Sequence, residues 1–161
     1  MKNSNKILLY LPAVVVLVVH AIIVAVSYSG LPAEVPTKFH KGEAIQLMPR
    51  WAVWISWVVN VVICALVAIS SRIPAMRSNI FRVKLWNRKV VNAQDVLSPN
   101  ALEILYSLMT FVISLLFIFV SCSIIFPSLR MLMQILLSTL AALVAVGSFV
   151  FAICVTKRER E

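Results

Sequence analysis

Six carboxylates, two histidines, three cysteines and three glycines are all this chain has of the residues on which most site chemistry is built. With so little glycine, a loop that cradles phosphate through its backbone amides has almost nothing to form from. With two histidines, one inside an apolar run, a zinc site lacks its ligands. No Ser-His-Asp order or paired-carboxylate spacing appears, so catalysis has no constellation to rest on, and neither cofactor nor metal is expected. Cys64, Cys122 and Cys154 all fall within apolar runs. They cannot make a disulfide framework and read as small packing residues.

The other absence is local. Four long stretches contain no Asp, Glu, Lys or Arg at all: Ile7–Ser29, Trp51–Ser71, Ile104–Phe126 and Met131–Val155. About 20 apolar residues span the roughly 30 Å of bilayer hydrocarbon, and 61% hydrophobic content with a mean hydropathy of +0.97 is far above a soluble domain's. Within lipid each run must be helical, because only then are its backbone hydrogen bonds satisfied internally. The fold class is therefore an all-α membrane protein with four transmembrane helices in two antiparallel hairpins, a single domain over 1–161. A motif-bearing loop at 30–50 joins the first pair, and a basic loop at 72–103 joins the two hairpins. The first run, after Lys2 and Lys6, resembles a signal peptide with Ala25-Val26-Ser27 as a loose cleavage site. Its apolar core exceeds the roughly 7–15 residues typical of one, and a retained helix is expected.

What is plentiful is positive charge, +9 net, and eleven of the fifteen bases fall in the amino-terminal tail, the 72–103 loop and the carboxyl tail. Retention of positive charge on the cytoplasmic side puts both termini inside and the 30–50 loop outside. The basic face of the inner loop, Arg77, Arg82, Lys84, Arg88 and Lys89, suits anionic headgroups, at about 1 kcal/mol per base near the surface. A docking platform for a cytoplasmic protein is the second reading and nucleic-acid binding a distant third, since the loop contains no recognised module. On a helical projection Met76, Ile80, Val83 and Val90 share a face of this loop, with Phe81 and Leu85 opposite.

Trp51, Trp54, Trp57 and Tyr28 gather at one end of the first hairpin and Tyr10 and Tyr106 at the other, as interfacial anchors would. Ser98-Pro99 reads as a helix cap followed by a first-turn proline. Ser107, Thr110, Ser114 and Ser121 on the third helix, and Ser138, Ala141, Ala142, Ala145 and Ser148 on the fourth, form small-residue stripes along which those two helices are expected to pack. Two polar side chains, His20 and Asn60, fall at the same mid-membrane depth on antiparallel helices. They read as a hydrogen-bonded structural pair or as a proton or ligand site.

The segment "LPAEVPTKFHKGE", Leu31 to Glu43, followed by Arg50 and a new helix, resembles the motif of a bacterial membrane family. This is domain of unknown function 1648, which includes the SdpI-type immunity proteins. Leu31, Pro32, Val35, Pro36, Thr37, Phe39 and Glu43 carry the likeness, Gly42 falls within a residue of its place, and the resemblance covers about Ile7 to Ser71. It departs at Lys38, where the family has histidine, with His40 two residues on, and at Ala44–Met48. The resemblance implies a protein that guards against a membrane-active peptide and can hold a cytoplasmic repressor. On that footing Glu34, Pro36, Thr37, Lys38, Phe39, His40, Glu43 and Arg50 become candidate recognition residues for a peptide ligand or membrane-protein partner. Pro32 and Pro36 bias the residues before them toward extended geometry, so the loop also reads simply as a stiff lid on the helix ends. Two other functions fit the same features: an accessory subunit of a larger membrane complex, and a small-solute or proton transporter with His20 and Asn60 lining a wet cavity.

Overall fold

The computed structural model describes residues 8–40, 43–73, 82–84, 90–92 and 97–160, with backbone alone over 38–40, 43–45, 82–84, 90–92 and 155–160. In chain order the elements are α1 (Leu11–Tyr28), β1 (Glu34–His40), β2 (Glu43–Pro49), a 3-10 turn (Arg50–Ala52) and α2 (Val53–Ser70). Then come β3 (Arg82–Lys84), β4 (Val90–Asn92), α3 (Pro99–Ile125), a second 3-10 turn (Pro127–Leu129) and α4 (Arg130–Arg160). Four helices are long and apolar enough to cross a bilayer, and the chain is a multi-pass membrane protein of all-α class.

Local sequence explains the boundaries. The Ser98 hydroxyl accepts from the Ala101 amide at 3.3 Å and Pro99 takes the first helical position, so α3 starts a turn before its apolar run. Phe126 leaves helical geometry before Pro127, and Pro127–Leu129 turn the chain straight into α4. Valine and isoleucine dominate α1 and α2, and their β-branching disfavours a helix in water. Lipid reverses that preference by denying any backbone group another partner.

α3 is the hub. It packs against α1, α2 and α4, while α1 and α2 also touch each other. Its buried positions, among them Glu103, Tyr106, Thr110, Ser114, Ile118, Ser121 and Ile125, recur every three or four residues and face α1 and α2. α4 lies on the flank of α3 and none of its span is buried. The expected seam between the two small-residue stripes is therefore not formed. Ser114 and Ser121 are wholly buried toward the first hairpin, whereas Ser138, Ala141, Ala142, Ala145 and Ser148 are exposed. The polar partners that serine hydroxyls need in hydrocarbon sit on α1 and α2, and that turns the α3 stripe toward them.

The 31–50 segment is neither a bare connector nor a loose lid. Its strands pair antiparallel from Glu34↔Pro49 to His40↔Glu43, with register breaks on both sides of Lys38. The Arg50 amide closes the base by donating to the Ala33 carbonyl at 2.9 Å. Pro36, lacking an N–H, is tolerated because a two-stranded ladder has only edge strands. The hairpin is rooted by Val35, which is 2% exposed and packs with Val24, Val53 and Ile125 at the ends of all three core helices. In the basic loop the described residues form a second short ladder, Arg82↔Asn92 to Lys84↔Val90, rather than a helical face. Val83, Val90 and Val91 favour strands, and the apolar positions never formed a clean helical stripe.

Candidate functional site

Polar side chains run through the centre of the three-helix core as a connected line. At its middle the Asn60 amide Nδ2 donates to His20 Nδ1 at 3.2 Å, so Nδ1 carries no proton and the neutral ring donates from Nε2 to Ser121 Oγ at 2.7 Å. Ser121 Oγ also lies 2.7 Å from Ser56 Oγ, a hydrogen bond in which either hydroxyl can donate. On the other side of Asn60, Cys64 Sγ lies 3.3 Å from Asn60 Oδ1, 3.1 Å from Ser114 Oγ and 3.7 Å from the Thr110 carbonyl. A thiol has one proton. Given to Asn60 Oδ1, it leaves the sulfur to accept from Ser114. The hydrogen-bonded line thus joins Ser114, Cys64, Asn60, His20, Ser121 and Ser56. His20, Asn60, Ser114 and Ser121 all have no exposed surface, and hydrogen bonding at that depth offsets the desolvation each group suffers.

At the end away from the hairpin lies a second, separate polar cluster. The Tyr10 hydroxyl lies 3.1 Å from Ser71 Oγ and 3.5 Å from Glu103 Oε2. Burial pushes the Tyr10 phenol above its ordinary pKa, and the Glu103 carboxylate acts in the same direction. Tyr106 is fully buried in the core, so it is not the interfacial ring its sequence position suggests.

The hairpin end is organised by aromatic rings. Trp51 is exposed, as an anchor should be, but Trp54 stacks edge-on against Trp57 at 5.9 Å and leans on Tyr28 at 6.4 Å. Trp57 Nε1 donates to the Leu17 carbonyl of α1 at 3.1 Å, making it a clamp between helices rather than an anchor. Arg50 sits over the Tyr28 ring at 5.2 Å, a cation–π contact that ties the start of α2 to the end of α1.

Between the hairpin, α2 and α3 lies an open groove of about 310 Å³. Val35, Thr37 and Met48 form its roof, residues of α2 from Ala52 to Val59 and of α3 from Phe117 to Ile124 its walls, and Ser56 and Ser121 are the polar residues of the walls. The groove thus ends on the same two hydroxyls that terminate the His20 chain.

No protein-family model, curated protein or solved structure matches the chain.

The sequence-derived candidates distribute unevenly over this frame. His20 and Asn60 come together as a pair. Glu34 and Pro36 lie on β1 with their side chains outside the core, and the Thr37 hydroxyl donates to the Gln46 carbonyl at 3.3 Å across the hairpin. Arg50 is exposed and rests over the Tyr28 ring. Lys38, Phe39, His40 and Glu43 have described backbone only, as do Arg82 and Lys84, while Arg77, Arg88 and Lys89 lie outside the described residues. Among the described residues no group of histidine, cysteine and carboxylate side chains could hold a metal. Sequence reasoning missed Ser56, Cys64 and Glu103. A helical projection finds the first two, because 56, 60 and 64 fall on one line of α2; the buried state of Glu103 depends on how α1 and α3 meet.

Proposed function

We propose that this is a non-catalytic recognition protein of the bacterial cytoplasmic membrane, with both termini inside and the β1–β2 hairpin outside. In this reading the hairpin meets a membrane-active peptide, as in the SdpI-type proteins whose motif Leu31 to Glu43 resembles, and the basic inner loop meets lipid headgroups or a cytoplasmic protein. The observation that carries it is the rooting of the hairpin: a segment held by Val35 in the shared core of α1, α2 and α3 is a mounted platform, not slack between helices. The complete burial of His20 and Asn60 weighs against a transport path through them. An accessory-subunit role draws support from α4, which offers a whole unburied span to a partner.

A deletion strain complemented with wild-type or variant protein and challenged with a panel of membrane-active peptides tests the reading. The deletion is expected to sensitise cells to at least one peptide, with wild type restoring resistance and Glu34→Ala or Lys38→Ala failing to. Equal survival of all strains across the panel would defeat it. Orientation is tested with a membrane-impermeant thiol reagent on intact cells: Lys41→Cys labels and Lys84→Cys does not, and the reverse pattern turns the protein inside out.

A further inference from the structure

The groove between α2 and α3 and the bare face of α4 are complementary. The groove walls repeat at helical intervals: Ala52, Ser56 and Val59 on one side, Phe117, Ser121 and Ile124 on the other. That is a trough about 10 Å long between antiparallel helices, the shape into which the ridge of a further helix packs. Its floor is not inert. Ser56 and Ser121 share one hydrogen bond of 2.7 Å in which either hydroxyl can donate, and Ser121 already accepts from His20, so one of the two protons has no acceptor among the described residues.

α4 presents the matching surface. Gln134, Ser138, Ala141, Ala145 and Ser148 fall on one stripe, all exposed, and the small residues permit close helix approach. The Gln134 amide has no hydrogen-bond partner among the described residues, although hydrocarbon gives an exposed amide nothing to bond to. Depth agrees as well. α2 and α4 both start at the hairpin end, at Arg50 and Arg130. Counted at 1.5 Å per residue, Ser56 lies about 9 Å in, between Gln134 at about 6 Å and Ser138 at about 12 Å. All copies in one membrane share an orientation, so a neighbour's α4 arrives parallel to α2 with these groups in register.

We propose that the chain self-associates in the bilayer, with α4 of a second copy seated in the α2–α3 groove and its Gln134 carbonyl oxygen accepting from the Ser56 hydroxyl. The occupant is a second copy rather than an acyl chain because the groove supplies a hydroxyl donor, and phospholipid tails carry no acceptor. It is this chain rather than a foreign helix because the missing acceptor stands at the right depth on its own uncovered span.

The test uses the full chain in phospholipid vesicles, in a Cys122→Ala, Cys154→Ala background that leaves Cys64 buried. Chains carrying Ser56→Cys are mixed with chains carrying Gln134→Cys and oxidised. A disulfide-linked pair is expected, and none when Gln134→Cys is replaced by Phe149→Cys, an exposed position four turns deeper on α4. Without the cysteine changes, Gln134→Leu, which alters only an exposed residue, is expected to weaken association roughly three- to tenfold, the value of one interhelical hydrogen bond. Filling the groove with Val59→Trp is expected to abolish it. Monomers by single-molecule step counting, linkage indifferent to position along α4, or a foreign membrane protein in the groove with no linkage between copies would each overturn the proposal.

Discussion

At the residue scale, the most constrained atoms are those of His20. Both ring nitrogens are engaged, one by Asn60 and one by Ser121, in a place where neither bond can be exchanged for water. Removing one partner strands the other, so His20→Leu and Asn60→Leu should not add. A double-mutant cycle on unfolding in detergent is expected to return a coupling of about 0.6–1.7 kcal/mol, the range for hydrogen bonds between membrane helices. Strict additivity would show the pair to be adjacent but not coupled. Tyr10 offers a separate handle. Its phenol is raised above the ordinary value by burial, so the protonated form is the one the fold favours. Its contribution is fully present below the unfolded-state pKa of about 10 and is lost as pH rises through the higher folded value. Tyr10→Phe should therefore lower stability at neutral pH, where the contribution is whole, and flatten the alkaline branch of the profile above pH about 10, as thermal melts against pH would read out.

At the element scale, the hairpin and α3 respond to different defects. The hairpin makes its ladder bonds within itself, so its attachment to the bundle depends heavily on Val35. Val35→Ala removes two buried methyl groups' worth of contact, about 1–2 kcal/mol, and should speed proteolytic cutting within 34–49 before the helices loosen. α3 depends at its start on one cap: Ser98→Ala is expected to cost about 1 kcal/mol, visible as faster amide exchange over the first turn alone. The strands were the harder elements to read. Pro32 and Pro36 signalled extended backbone, but the return strand Ala44 to Met48 resembles any apolar stretch. Its pairing is set by the closing contacts at Ala33 and Arg50.

For the whole molecule, four uncharged runs were enough to establish four spans and two helical hairpins, because a backbone in hydrocarbon has one way to satisfy itself. The cap at Ser98 and the level placement of His20 and Asn60 were equally legible, since each follows from spacing along one chain. The faces that meet are a different matter. Every helix here is apolar nearly all round, and lipid exerts no hydrophobic preference between protein and tail, so periodicity does not announce a buried side. Rotation is decided by polar atoms finding one another across the bundle: Ser121 turning to His20 and Ser56, Ser114 to Cys64, and Glu103 toward Tyr10. That choice carried the α3 stripe away from α4, left α4 uncovered and opened the groove beside Ser56. Number and length of spans are local properties of the chain, whereas the polar core and the surfaces it leaves free arise only when three helices are held against each other.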